Sequence, residues 1–187
     1  MTTLIRYRDD APQQALESST DGAVIIERLA ALGVGFERWS TSRSPLPAAA
    51  SADAILAAYA AEIARLREQG GYTTADVVRL TPDHPEREAL RGKFIEEHTH
   101  SEDEVRFFVE GGGAFYLHIG DSVYQLLCER GDLLRVPANA RHWFDMGPRP
   151  RFTAIRLFTD PAGWVGHFTG DGLSARFPRY GEPYAGA

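Results

Sequence analysis

The chain has 187 residues, 43% of them hydrophobic, and its 20 Lys and Arg against 26 Asp and Glu leave a net charge of -6. That composition predicts one ordered domain of roughly 100–200 residues, and the acidic balance argues against the basic face that nucleic acid requires. No apolar run nears the roughly 18 residues of a bilayer span, the first ten residues are too charged for a signal peptide, and a single cysteine, Cys128, excludes an intrachain disulfide or an all-cysteine metal cage. The expectation is a soluble, cytoplasmic monomer that binds neither nucleic acid nor membrane.

In chain order, Val24, Ile25, Leu29 and Leu32 predict a short helix from Asp21 to Leu32, with Thr20 or Asp21 as its N-cap and Gly33 as its stop. Val34–Trp39 reads as a strand and Ser44–Pro47 as a connector. Ile55, Leu56, Tyr59, Ile63 and Leu66 recur at helical spacing, so one helix is expected from Ser51 or Asp53 to Glu68, ended by Gly70-Gly71. Asp76–Leu80 reads as a strand and Pro85–Lys93 as a helix with proline in its first turn. After Phe94 short β-branched and aromatic runs alternate with Gly, Asp and Pro turns: 104–109, 114–119, 122–128, 133–136, 142–146 and 151–158. Such spacing predicts a β-barrel or double-sheet jelly roll. The chain is thus read as mainly β and as one domain over 1–187. Residues 1–93 form a helical and strand lead-in packed on the barrel, 94–170 the barrel core and 171–187 an irregular tail.

Of six histidines, three stand out by spacing. His98 and His100 share one face of a strand by parity. Glu104 follows the turn-like Ser101-Glu102-Asp103 and opens the next strand. His142 lies 38 residues after Glu104, where antiparallel return of the chain brings it back. Inward-facing His, His and Glu are costly to bury unless a metal or a full set of partners satisfies them. His98, His100, Glu104 and His142 are therefore the candidate ligands of one metal ion per chain. Three imidazoles and a carboxylate suit Fe, Ni, Zn, Cu or Mn better than Ca or Mg. A closed tetrahedral structural zinc is the plain alternative. By the same parity Arg106 faces the site with Glu104, against Glu102, Asp103 or a substrate oxygen, while Val105, Phe107 and Val109 face away. Arg156, on a face with Phe152, Ala154 and Phe158, is expected to be buried against a partner. Cys128 reads as a small core residue.

The spacing Gly92, His98-X-His100, Glu104, Gly111 resembles the first motif of the cupin superfamily, and Gly131, Pro137, His142 its second. Asn139 stands where that motif has Gly and Met146 where it has Asn. More specifically, the segment from Glu96 to Val109, Phe115–Asp121, Val136-Pro137-Ala138, His142–Gly147, Phe152–Phe158 and Gly163-Trp164-Val165 resemble the acireductone dioxygenase family. The resemblance implies a cupin jelly-roll β-barrel with His98, His100, Glu104 and His142 as ligands of Fe(2+) or Ni(2+). It also implies that Arg106 and Arg156 lie around the substrate, with Phe107, Phe144 and Trp164 near the pocket. For Phe107 it conflicts with strand parity.

The activity it implies belongs to methionine salvage: cleavage of 1,2-dihydroxy-3-keto-5-methylthiopentene by O2. With Fe(II) the products are 4-methylthio-2-oxobutanoate and formate. With Ni(II) they are 3-methylthiopropanoate, formate and carbon monoxide. Competing expectations are another cupin oxygenase or isomerase, which oxygen uptake separates, and a non-catalytic ligand-binding cupin, which this chain's lack of a basic helix disfavours.

Overall fold

The computed structural model describes residues 1–41, 47, 50–160 and 165–181. In order the elements are β1 (Thr3–Arg8), β2 (Ala15–Ser19), α1 (Gly22–Ala31), β3 (Gly35–Arg38), α2 (Ala52–Ala58), α3 (Ala60–Gly70), β4 (Thr74–Leu80), α4 (Arg87–Phe94), β5 (His98–Thr99), β6 (Glu104–Gly111), β7 (Gly113–Ile119), β8 (Ser122–Cys128), β9 (Asp132–Val136), β10 (Arg141–Asp145), β11 (Phe152–Phe158) and β12 (His167–Phe168), then a 3-10 turn, Leu173–Arg176. The expected connector at 44–47 falls outside the described residues except for Pro47, and the expected tail is described only as far as Gly181.

Local chemistry sets the element ends. The Asp21 carboxylate accepts the Ala23 and Val24 N–H groups, satisfying two free donors at the start of α1. Gly33, at φ +75, turns the chain out of that helix. Ser51 caps α2 by accepting the Ala54 N–H at 3.2 Å. The single helix expected from 51 to 68 is two: α2 and α3 meet at Tyr59, which has left helical geometry at φ -112 and ψ 21. Periodicity did not reveal the break because Ile55, Tyr59, Ile63 and Leu66 face one cluster on both sides of it. The break sits where the Tyr59 ring meets Phe107, with centroids 5.0 Å apart.

Two antiparallel sheets result, one of seven strands in the order β12-β5-β10-β7-β8-β1-β2 and one of five in the order β3-β9-β6-β11-β4. They form a cupin jelly roll, but among the described residues no strand pairing closes it into a continuous barrel. The core between the sheets joins Phe115, Leu117, Leu126 and Phe144 of the first to Phe108, Leu134, Phe152 and Ala154 of the second, with Cys128 and Met146, just past β10, among them. Burial pushes the Cys128 thiol well up, so it stays a protonated, inert core residue as expected. Helices α2 and α3 cover the outer face of the five-stranded sheet, where Val105, Phe107, Val109, Leu133, Ile155 and Leu157 lie. On the outer face of the other sheet Trp143 stacks on Tyr116, 4.9 Å away and 8° from parallel, under Phe177. No described helix is long and apolar enough to cross a membrane.

Phe107 therefore anchors helices rather than facing the sheet interior. Equilibrium unfolding of Phe107→Ala is expected to show a loss of about 3–5 kcal/mol, the cost of emptying a buried phenylalanine site. A loss below about 1 kcal/mol would show that α2 and α3 do not depend on it.

Candidate metal centre

Three strands, β5, β6 and β10, converge at one end of the sandwich. His98 on β5 lies directly opposite His142 on β10, an antiparallel pair. His100 follows β5 by one residue, and the chain then turns so that Glu104 opens β6 in the other sheet. Two hydrogen bonds stitch that turn to the one preceding β10: Asn139 N–H donates to the His100 carbonyl at 2.8 Å, and Ala138 N–H to the Asp103 carboxylate at 2.9 Å. Asn139 has φ 62, a left-handed conformation that asparagine tolerates better than most residues. This explains how it replaces the expected glycine. Gly111 is needed, since a Cβ there would meet the Arg151 carbonyl at 1.8 Å, whereas Gly92 has open space around it.

The side chains come together as the spacing predicts. One donor atom from each of His98, His100 and His142 lies within 4.8 Å of the others. Glu104 Oε2 is 3.2 Å from His100 Nε2 and 3.5 Å from His142 Nε2. All four residues are buried. Every Nδ1 faces a backbone carbonyl: His98 to Glu96 at 2.7 Å, His100 to Val165 at 3.0 Å and His142 to Ala140 at 2.8 Å. A carbonyl only accepts, so each Nδ1 carries a proton, and in the neutral ring Nε2 is the nitrogen left with a lone pair. His142 Nε2 is buried with no hydrogen-bond partner. A buried nitrogen left in that state, beside two further imidazoles and a carboxylate, fits a divalent metal ion.

Electrostatics prepare that state at His98 and at Glu104, and oppose it at His100. Burial, aided by the neighbouring imidazoles, lowers the His98 pKa to about 4, so its ring is neutral at physiological pH. Burial acts likewise on His100, but hydrogen bonding and attraction to Glu104 outweigh it and the net shift is upward. Burial alone would raise Glu104, yet Arg106, His100 and His142 hold its carboxyl well below the usual range, so it is ionised.

Arg106 lies on the face of β6 that parity gave it. Its expected partners are otherwise engaged, Asp103 by Ala138 and Glu102 by the Thr159 hydroxyl. It pairs instead with Glu104 Oε1 at 2.5 Å. Its guanidinium lies 4.6 Å from the Phe144 ring centroid and 4.9 Å from that of Phe115, and its Nε is buried without a partner. Arg156 is directly opposite Arg106 across β6–β11, and Asp76 is directly opposite Arg156 across β11–β4. The Asp76 carboxylate takes two Arg156 bonds, at 2.9 and 2.6 Å. Asp76 is the partner expected for Arg156, though the pair is only partly buried, with the Asp76 side chain 46% exposed, and it offsets like charge beside Arg106.

A cavity of about 440 Å³ opens over the histidines, with Glu104, Arg106, Phe144 and Arg156 in its wall. Phe107 is not there: it packs on Trp39 and Tyr59 across the sheet, so parity holds and the position implied by the resemblance is corrected. Trp164 falls outside the described residues. Sequence reasoning missed Leu90 and Phe94 on α4, Phe158 beside Arg156, and Phe168 on β12 as cavity wall. Only Phe158 carried a signal, its shared parity with Arg156.

Residues 3–166 match the model of the ARD/ARD' family. The chain is 56% identical over 187 residues to an acireductone dioxygenase of Marinobacter nauticus, covering 100% of both chains. It is 55% identical over 179 residues to that of a Synechococcus species, covering 95% of this chain and 98% of the relative. Among solved structures it resembles an acireductone dioxygenase from Bacillus anthracis with a cadmium ion in its active centre. The TM-score is 0.80 at 30% identity, over 90% of this chain and 98% of that one. With the jelly roll, the three convergent imidazoles and near-complete coverage in agreement, the chain belongs to the ARD/ARD' family.

Proposed function

We propose that the protein is an acireductone dioxygenase of methionine salvage, holding one Fe(2+) or Ni(2+) per chain through His98, His100, Glu104 and His142. The observation that carries this reading is the three Nε2 lone pairs aimed, with an ionised carboxylate, at one point on the floor of a cavity. A closed structural site would keep its ion away from such a cavity. The relatives named acireductone dioxygenase and the cadmium in the active centre of the Bacillus anthracis protein support the same reading. The single cysteine, buried and unpaired, is consistent with a cytoplasmic setting.

When bound, the metal supplies a Lewis acid and template for an anionic enediol. The chain's own residues do the rest. Arg106 offers its cationic group to a substrate oxygen, because Nε has no partner and only one edge of the guanidinium is taken by Glu104. Val78, Leu90, Phe94, Phe144 and Phe158 give an apolar chamber for the methylthio end and keep water from the reacting carbons. Arg156, neutralised by Asp76, shapes the wall and adds positive potential without a full free charge.

Elemental analysis of His98→Ala and Glu104→Ala should show most of the metal gone, against one equivalent in the parent. Full occupancy in both would remove these residues from the ligand set. Arg106→Met should still fill with metal when the ion is in excess, because all four ligands remain, although freeing the Glu104 oxygen that Arg106 holds should weaken binding. Its kcat/KM should fall roughly ten- to hundredfold, the effect of losing a charge-assisted hydrogen bond worth about 1.5–3 kcal/mol. Normal turnover would leave Arg106 only its ion pair with Glu104.

The assay of function is aerobic: stripped protein reloaded with Fe(II) should convert the acireductone to keto acid and formate with oxygen uptake. Reloading with Ni(II) should add carbon monoxide in the headspace. No oxygen uptake with either metal would refute the dioxygenase reading, and identical products would refute only control of the products by the metal.

A further inference from the structure

A second polar cluster lies behind the metal centre. Glu97, His118 and Asp171 bring donor atoms within 4.8 Å of one another, with Glu97 and His118 buried. The bonds made there are those of a closed network rather than a cation site. Glu97 Oε2 accepts from His118 Nδ1 at 2.7 Å and Oε1 from the Thr169 hydroxyl at 3.0 Å. The Arg141 guanidinium sits 3.3 Å from His118 Nε2, where its charge repels a metal ion.

We propose that Glu97 is a positioning residue of the metal centre, acting through His98 and His100 by anchoring the strap of residues 165–169 that closes over them. The proposal rests on the metal-centre reading above. β5 is two residues long and meets β10 at a single pair, so few backbone bonds hold the strand that carries His98. Its other edge is held by the strap: His167 pairs with Thr99 and Phe168 with His98. Strap atoms also fix the imidazoles themselves. The Val165 carbonyl takes the His100 Nδ1 proton, Gly166 approaches so closely that a Cβ there would lie 3.3 Å from His98, and the Phe168 ring centroid is 5.8 Å from that of His98.

Apolar burial contributes little to holding the strap, since Val165 and Phe168 are 45% and 46% exposed. Hydrogen bonds must hold it, and those at its far end go to Glu97. The Glu97 carbonyl accepts the Thr169 N–H at 3.0 Å while its carboxylate accepts the Thr169 hydroxyl. The same carboxylate is locked to β7 through His118. Glu97 is thus the joint between the rigid sheet, the ligand strand that begins at the next residue and the strap. Loosening it frees Val165 from His100, and with it the tautomer and aim of that ring.

The test uses Co(II) alone as probe, added to stripped full-length protein and followed by its visible absorption. Glu97→Gln should bind Co(II) roughly ten- to hundredfold more weakly, as is usual when an outer partner of a ligand is lost, and its absorption band should change in position or intensity. Thr169→Val, on the exposed side, loses one side-chain bond and should weaken Co(II) roughly two- to tenfold in the same direction. Tyr7→Phe, which removes a buried hydroxyl bond to Gln125 remote from the strap, controls for loss of stability and should keep the parent's affinity and spectrum. Parent affinity and an unchanged spectrum in Glu97→Gln would overturn the positioning role while leaving the metal centre intact. An equal loss of affinity in Tyr7→Phe would overturn it too, by making the effect one of general stability. Failure of the parent itself to bind Co(II) would overturn the metal-centre reading and this inference with it.

Discussion

The structure depends on how three imidazoles and a carboxylate are kept both buried and available. Each of these groups has two polar ends, and burying either end unpaired would cost free energy. The chain divides the ends. One nitrogen of each histidine is bound to a main-chain carbonyl, at 2.7, 3.0 and 2.8 Å, and one oxygen of Glu104 to Arg106. The other ends are left facing one another. The carbonyls decide which nitrogen is free, and so the direction in which each ring can act. Preorganisation of this kind comes from the backbone rather than from the four residues themselves.

That backbone has to join two sheets. Three donors belong to the seven-stranded sheet or its margin and the fourth to the five-stranded one. The turn 101–103 carries the chain across, and the turn 137–140 returns it to His142. They are bound together by the Asn139 and Ala138 N–H bonds, and Glu104 pairs in register with Val136 at the start of the second turn. The two turns thus form one unit, and its geometry sets the distance between Glu104 and the imidazoles. A left-handed residue at 139 is part of that unit, which is why the position accepts Asn as well as Gly.

Features governed by spacing could be read from the sequence, and features governed by burial from outside could not. Parity on β6 placed Glu104 and Arg106 inward and Phe107 outward, and it was more reliable than the pocket position drawn from family likeness. The six strands β6 to β11 were legible because each is a β-branched and aromatic run bounded by Gly, Asp or Pro turns. β1 and β2 were not. β1 places Arg6 and Arg8 among its apolar residues and is interrupted by an irregularity at Arg6/Tyr7, and β2 is an edge strand exposed along nearly its whole length. The two-residue strands β5 and β12 are too short for any period to show. The ion pairs Arg106–Glu104 and Arg156–Asp76 needed the cross-strand register, which sequence alone does not contain.

β10 ties the cavity to the metal site. Its inward residues are His142 and Phe144, and its last residue, Asp145, is fully buried. The Asp145 carboxylate accepts two bonds from Arg91 on α4, at 2.8 and 3.1 Å, and also the N–H groups of Gly147 and Tyr180. Arg91 lies between Leu90 and Phe94, two residues of the cavity wall, so the bridge fixes that wall to the strand that carries His142. The separation between the apolar chamber and the imidazoles is therefore set within one short strand and one bidentate pair.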